Sequence, residues 1–211
     1  MPLLRGVALL AGAVLVLGAG AGSTPATERS ASNPIGDAFS LIFDSESIRL
    51  DIVGDSLEVR GTYVLLCRTP VEESIPLFYP FPSDSLLGGA RMVSLAFRAG
   101  VDSSAPARWE ELPLASGVRW WLPPCRGDSI VAEAVYRQKI KADYARYIVT
   151  TTRVWGRPLR RASFEIRLPP GAEPLDFSFP FERRGERGES YYAYQAQDFF
   201  PDRDIVVRWR W

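Results

Sequence analysis

The chain has 211 residues, 25 basic and 25 acidic side chains, two cysteines and no histidine. With no cationic excess to hold phosphate backbones or an anionic bilayer, nucleic acid is disfavoured as a partner. Without histidine, Ser-His-Asp and Cys-His catalysis, histidine-ligated metals and the commonest general base are excluded, and two cysteines cannot build a four-thiolate metal site.

In chain order, the first predicted element is a secretory signal over residues 1–21. Arg5 precedes the small and aliphatic run "GVALLAGAVLVLGAGA", which is too short for a comfortable bilayer crossing and ends in the Ala19-Gly20-Ala21 cleavage pattern. An uncleaved N-terminal anchor is the alternative. No cysteine lies near the cleavage point, so a lipoprotein-type acylated thiol is not available there. Cleavage removes Arg5 and leaves 24 basic against 25 acidic residues. Residues 22–38 are small, polar and aperiodic, the signature of a short disordered leader.

From residue 39 onward, alternation dominates. Leu57, Val59, Tyr63, Leu65 and Cys67 share one parity, as do Val93, Leu95 and Phe97, then Val118, Trp120 and Leu122. Ala162, Phe164, Ile166 and Leu168 alternate with polar neighbours, followed by Leu175, Phe177, Phe179 and Phe181, and by Ile205, Val207, Trp209 and Trp211. A period of two at so many places predicts half-buried strands. Turn residues fall between them, among them Gly54-Asp55, Gly88-Gly89, Gly127-Asp128 and Pro169-Pro170-Gly171. The run 129–152 is too long for one strand and is expected to break near Lys141–Ala145. About ten strands predict an all-β fold over 39–211, an antiparallel β-sandwich, with a subdivision near 100–117 as an option.

The stretch "ARYIVTTTRVWGRPLRRASFEIRL" (145–168) concentrates hydroxyls and arginines, and reads as sheet surface. Tyr147, Val149 and Thr151 are placed on one strand face, and Ile148, Thr150 and Thr152 on the other. Trp155-Gly156-Arg157-Pro158 is read as the hairpin to the next strand, because branched threonine suits a pleated surface.

Little in the chain carries chemistry, and no cofactor is expected. No phosphate-cradling glycine motif occurs. Of the 25 basic residues 23 are arginine, and the two lysines, Lys139 and Lys141, lack a local serine motif. The acid pairs Glu72-Glu73, Glu110-Glu111 and Asp202/Asp204 read as surface charges, since adjacent strand residues face opposite ways. The acidic turns at 54–56, 83–85 and 127–129 fall short of a calcium loop's ligand count. Cys67 and Cys125 either pair in an oxidising compartment or stay separate, with Cys67 as a small core hydrophobe. Trp120 and Trp121 must face opposite ways, so Trp121, with Tyr192, is the first candidate for a binding platform. The alternating C-terminus with its terminal aromatic is similar to the last strand of an outer-membrane barrel. The prolines in "LFYPFP", "WLPPC" and "RLPPG" argue against a barrel.

The segment "LEVRGTYVLLCRTPVEESIPLFYPFPSDSLLGGARMVSLAFRAG" (57–100) resembles the opening of the vault/inter-alpha-trypsin type of β-sandwich, and "DRDIVVRW" resembles its closing strand. "VYRQKIKADYARYIVTTTRVWGRPLRRASFEIRLPPG" is similar to secreted bacterial sandwich proteins of unknown function. The resemblance implies an architecture and assigns no functional residue. The expectation is an exported, non-catalytic protein, periplasmic or cell-surface associated, with a binding or structural role toward an envelope protein partner. A carbohydrate-binding module and a small outer-membrane β-barrel are the alternatives.

Overall fold

A computed structural model describes residues 8–9, 40–99, 104–112, 116–125, 129–185 and 190–211. The predicted signal and leader therefore lie outside the described residues, apart from Ala8–Leu9. Among the described residues there are fifteen strands: β1 (Ala8–Leu9), β2 (Leu41–Val53), β3 (Ser56–Cys67), β4 (Ile75–Pro80), β5 (Leu87–Ala99), β6 (Ser104–Pro106), β7 (Trp109–Leu112), β8 (Gly117–Leu122), β9 (Ser129–Ile140), β10 (Tyr144–Tyr147), β11 (Leu159–Arg167), β12 (Glu173–Phe177), β13 (Glu182–Arg184), β14 (Tyr191–Phe199) and β15 (Ile205–Arg210). This exceeds the expected ten because several are only two to four residues long.

The strands form an eight-stranded sheet, β13-β14-β11-β2-β3-β9-β5-β6, a four-stranded sheet, β1-β4-β8-β7, and a three-stranded sheet, β10-β15-β12. Tyr63 of the large sheet meets Tyr79 and Trp120 of the four-stranded sheet edge-on or tilted at 6.0 and 5.9 Å. Its hydroxyl also reaches Tyr147 of the three-stranded sheet. The fold is thus an all-β sandwich, one large sheet covered on its inner face by two smaller ones. The large sheet has two distinct ends, β13 and β6, and does not close on itself among the described residues, which removes the barrel alternative. Pairing is antiparallel except for β1 with β4 and β11 with β2. The second parallel pair arises because β11 returns to β2 only after the whole β3–β10 excursion.

Period two sets the core. Leu57, Val59, Tyr63 and Leu65 are buried on β3, and Ala162, Phe164 and Ile166 on β11. Two bulges shift this pattern. On β2 the register slips between Phe43 and Ser45, so both Phe43 and Asp44 turn inward. On β5 a slip between Met92 and Ser94 buries Met92 and leaves Val93 43% exposed, against the alternation read from sequence. Phe179 and Phe181 lie outside strands, and Trp211 follows β15 at 69% exposure. The bend at 141–143 divides β9 from β10 where the sequence suggested. The chain at 104–112 leaves the large sheet through β6, paired with β5, and joins the four-stranded sheet through β7.

The outer face of the large sheet carries the arginines. Arg137 reaches Glu58 at 2.6 Å, Arg98 reaches Glu133, Arg167 reaches Glu165 at 2.7 Å and Lys139 reaches Asp55 at 2.7 Å. This ladder of cross-strand and same-strand pairs is the expected dress of a solvated sheet face.

The threonine run departs from its predicted strand. Thr150–Trp155 is a 3-10 helix closed by Gly156 at φ 69°. The cause is remote in sequence: the Asp204 carboxylate accepts from the amides of Val149 and Thr150 at 3.2 and 3.1 Å, and from the Thr150 hydroxyl at 2.8 Å. Arg146 donates to the same carboxylate at 2.6 Å. Thr152 turns in and donates its hydroxyl to the Val149 carbonyl at 2.7 Å. Local hydroxyl and carboxylate bonds of this kind outcompete a ladder.

Candidate functional site

Cys67, at the end of β3, and Cys125, beyond β8, form a disulfide with a Cα–Cα distance of 6.4 Å. The bond staples the large sheet to the four-stranded one. It leaves no free cysteine, so the alternative of two separate thiols is set aside.

Four of the carboxylates and lysines singled out in the sequence have partners in the fold. Asp204 caps the 3-10 helix as above, Asp202 faces Arg203 at 3.7 Å, and Glu110 accepts from Arg119 at 3.2 Å. Lys139 is held by Asp55, whose carboxyl it keeps below the usual carboxylate range.

Trp121 and Tyr192 do not come together. Trp120 is fully buried and Trp121 half-buried on the opposite face of β8, and the Arg108 guanidinium lies 4.5 Å from the Trp121 ring centre. One face of that indole is therefore already occupied. Tyr192 lies instead on β14, near the β13 end of the large sheet.

There the register with β11 puts Tyr192 opposite Ile166, Tyr194 opposite Phe164 and Ala196 opposite Ala162, all on the inner face. The segment from β12 to β13 adds three phenylalanines. Phe177 meets Tyr192 at 5.0 Å, Phe179 stacks on Tyr194 at 5.2 Å, and Phe181 lies 5.1 Å from Phe177 and 5.7 Å from Tyr194. These five rings are only half-buried, whereas Tyr63, Tyr79 and Tyr136 in the middle of the sandwich are sealed. Beside Tyr192 opens a cleft of about 480 Å³, with Pro169 and Pro170 as apolar wall and Glu173, Arg183 and Ser190 as polar groups. The open lining of this cleft is more polar than apolar, and Tyr192 supplies its aromatic edge. The sequence offers Tyr192 as a candidate but not the slab, because the stacking partners at 177–181 meet it only through the fold.

A second feature was missed altogether. Glu46 projects into the interior from β2, 3% exposed, directly across from Tyr63. The signal was present in "LIFDSESIRLDIV", where Glu46 shares parity with Ile48, Leu50 and Ile52.

No family model matches this chain, and no curated protein matches it. Among solved structures, a candidate nutrient-binding protein from Legionella pneumophila superposes with a TM-score of 0.60 at 14% identity, over 81% of this chain and 67% of that one. An M1 zinc metallopeptidase from Deinococcus radiodurans superposes with a TM-score of 0.49 at 16% identity, over 80% of this chain. The match spans 42% of the peptidase. At these identities the likeness is one of fold.

Proposed function

We propose that this chain is an exported, non-catalytic binding protein of a bacterial envelope that holds a protein partner at the β13–β14 end. The carrying observation is the half-open aromatic slab around Tyr192 beside its cleft, at one end of a sheet whose central inner face is otherwise sealed. Rigid amphipathic rings next to convergent polar groups are common contact chemistry for protein partners.

Export is supported by the signal-like segment 1–21 and by the Cys67–Cys125 bond, which suits an oxidising compartment. A non-catalytic role is supported by the lack of histidine in the chain. In the cleft, the Ser190 hydroxyl accepts from Arg183 at 3.4 Å, and an arginine is no base. The fold shared with a candidate nutrient-binding protein agrees with binding as the role.

A photo-crosslinking residue placed at Tyr192 or Arg183 should give a discrete adduct with an envelope protein, and one at Arg91, on the outer face of β5, should not. Equal yields at all three positions, or none at any, would overturn the reading. N-terminal sequencing of the protein from the envelope fraction should begin at Gly22; Met1 there would replace cleavage by the uncleaved anchor, and finding the protein in the cytosol alone would defeat the export step. A glycan is the second reading, favoured by the Tyr192 ring with Ser190 and Arg183 beside it. A glycan array giving saturable binding that Tyr192→Ala abolishes would replace the protein partner.

A further inference from the structure

Three sheets meet at one point. The Tyr63 hydroxyl, from β3 of the large sheet, lies 2.8 Å from that of Tyr79 on β4 and 3.0 Å from that of Tyr147 on β10. Each small sheet is thus tied to the large one through the same oxygen, and all three rings are sealed from solvent. Gly61 makes room for this, since a Cβ there would lie 2.1 Å from the Tyr63 hydroxyl.

Glu46 occupies the neighbouring place. Its row across the large sheet reads Ala162, Glu46, Tyr63, Ala132, so the residues flanking the pair offer no polar atom beyond Cβ. Neither carboxyl oxygen has a hydrogen-bond partner among the described residues. The titratable groups that face it are the hydroxyls of Tyr63 on β3, Tyr79 on β4 and Tyr147 on β10. No cation among the described residues offsets a charge there, and burial alone pushes the carboxyl up to about 8. A neutral carboxyl can stay in such a place, but an unpaired carboxylate is far costlier to keep dry.

We propose that the tyrosine junction beside Glu46 is a proton-controlled latch: the protonated carboxyl lets both small sheets stay clamped on the large one, and loss of its proton to solvent releases them. The ionised group gains hydration only if water reaches it, and the shortest way to admit water is to part the hydroxyls that join the sheets. The inference is independent of what binds at the β14 end.

The test uses the mature protein between pH 6.5 and 9, below the range in which ordinary tyrosines ionise. Wild type should lose near-ultraviolet circular dichroism and gain binding of a hydrophobic dye in a transition complete by about pH 8, while its far-ultraviolet strand signal persists. Glu46→Gln should give flat traces over the same range. Tyr147→Phe, which removes one bond of the latch and leaves the carboxyl, should open at lower pH than wild type. A flat wild-type trace, or an unchanged transition in Glu46→Gln, overturns the latch. If Glu46→Gln does not fold, the carboxyl carbons of 13C-glutamate-labelled wild type are followed instead. A glutamate titrating together with the optical change supports the latch, and the absence of one in this range overturns it.

Discussion

The molecule contains two aromatic assemblies of similar size and opposite fate. In the middle of the sandwich, Tyr63 and Tyr136 of the large sheet and Tyr79, Trp120 and Tyr147 of the two small ones are sealed between the layers, and three of their hydroxyls bond to one another. At the β14 end, Phe177, Phe179, Phe181, Tyr192 and Tyr194 stack as closely but remain half-open beside a cleft. Residue type does not separate the two, because both are rich in tyrosine. What separates them is how completely the two layers close over them. A covered ring stabilises by the area it removes from water, and a half-open one keeps surface free for a partner.

The largest effect expected from breaking this contrast concerns the staple over the covered assembly. Replacing Cys67 and Cys125 by serine should lower stability by about 4 kcal/mol, read as a fall in the urea midpoint, since the bond closes a loop with a separation of 58. No comparable loss is expected from any substitution at the half-open end. A double-serine variant within about 0.5 kcal/mol of wild type would show that the sheets hold without the staple.

Next comes the buried carboxyl. In the unfolded chain Glu46 ionises near 4.5, whereas in the fold it holds its proton up to about 8. The folded state therefore binds more protons in this window. The contribution is complete below 4.5, is lost as pH rises through the window, and is level above it. The total lost is on the order of 5 kcal/mol, comparable to the effect of the staple. Chemical denaturation of wild type should show this decline, and Glu46→Gln should remove it. A wild-type slope equal to that of the variant would mean that the group is solvated.

Gly61→Ala comes third, at about 3 kcal/mol of destabilisation, because the added methyl meets a hydroxyl already fixed by two partners. The double variant Gly61→Ala with Tyr63→Phe should recover part of the loss, as read by denaturant midpoints. The smallest effect sharpens the contrast from the other side. Tyr192→Ala should change stability by less than about 1 kcal/mol while abolishing partner capture, since the ring is half-buried.

Some of this was legible in the residues alone. Alternation identified the inward faces of β3, β8, β11 and β15, and glycines such as Gly54 at φ 58° and Gly171 at φ 86° mark reversals where they were expected. Glu46 could have been found by the same reading, as an acid in an inward parity. Val93 was misassigned because a bulge inverts the parity, and nothing in "ARMVSLAF" announces one. The 3-10 helix at Thr150–Trp155 escaped because its determinant, Asp204, lies 54 residues away from Thr150. Of the two aromatic candidates read from the sequence, Trp121 lies under the Arg108 guanidinium and Tyr192 is half-buried on β14, positions that only the fold assigns.

The sequence by itself determined the strands, the single oxidisable pair of cysteines and the lack of histidine chemistry, because period, composition and turn residues act over a few positions. Only the tertiary structure decided which tyrosines are sealed and which stay open, that Glu46 lies beside three hydroxyls from three sheets, and that Cys67 meets Cys125. Those outcomes depend on which layer covers which face, a choice made by contacts distant in the chain that no local pattern encodes.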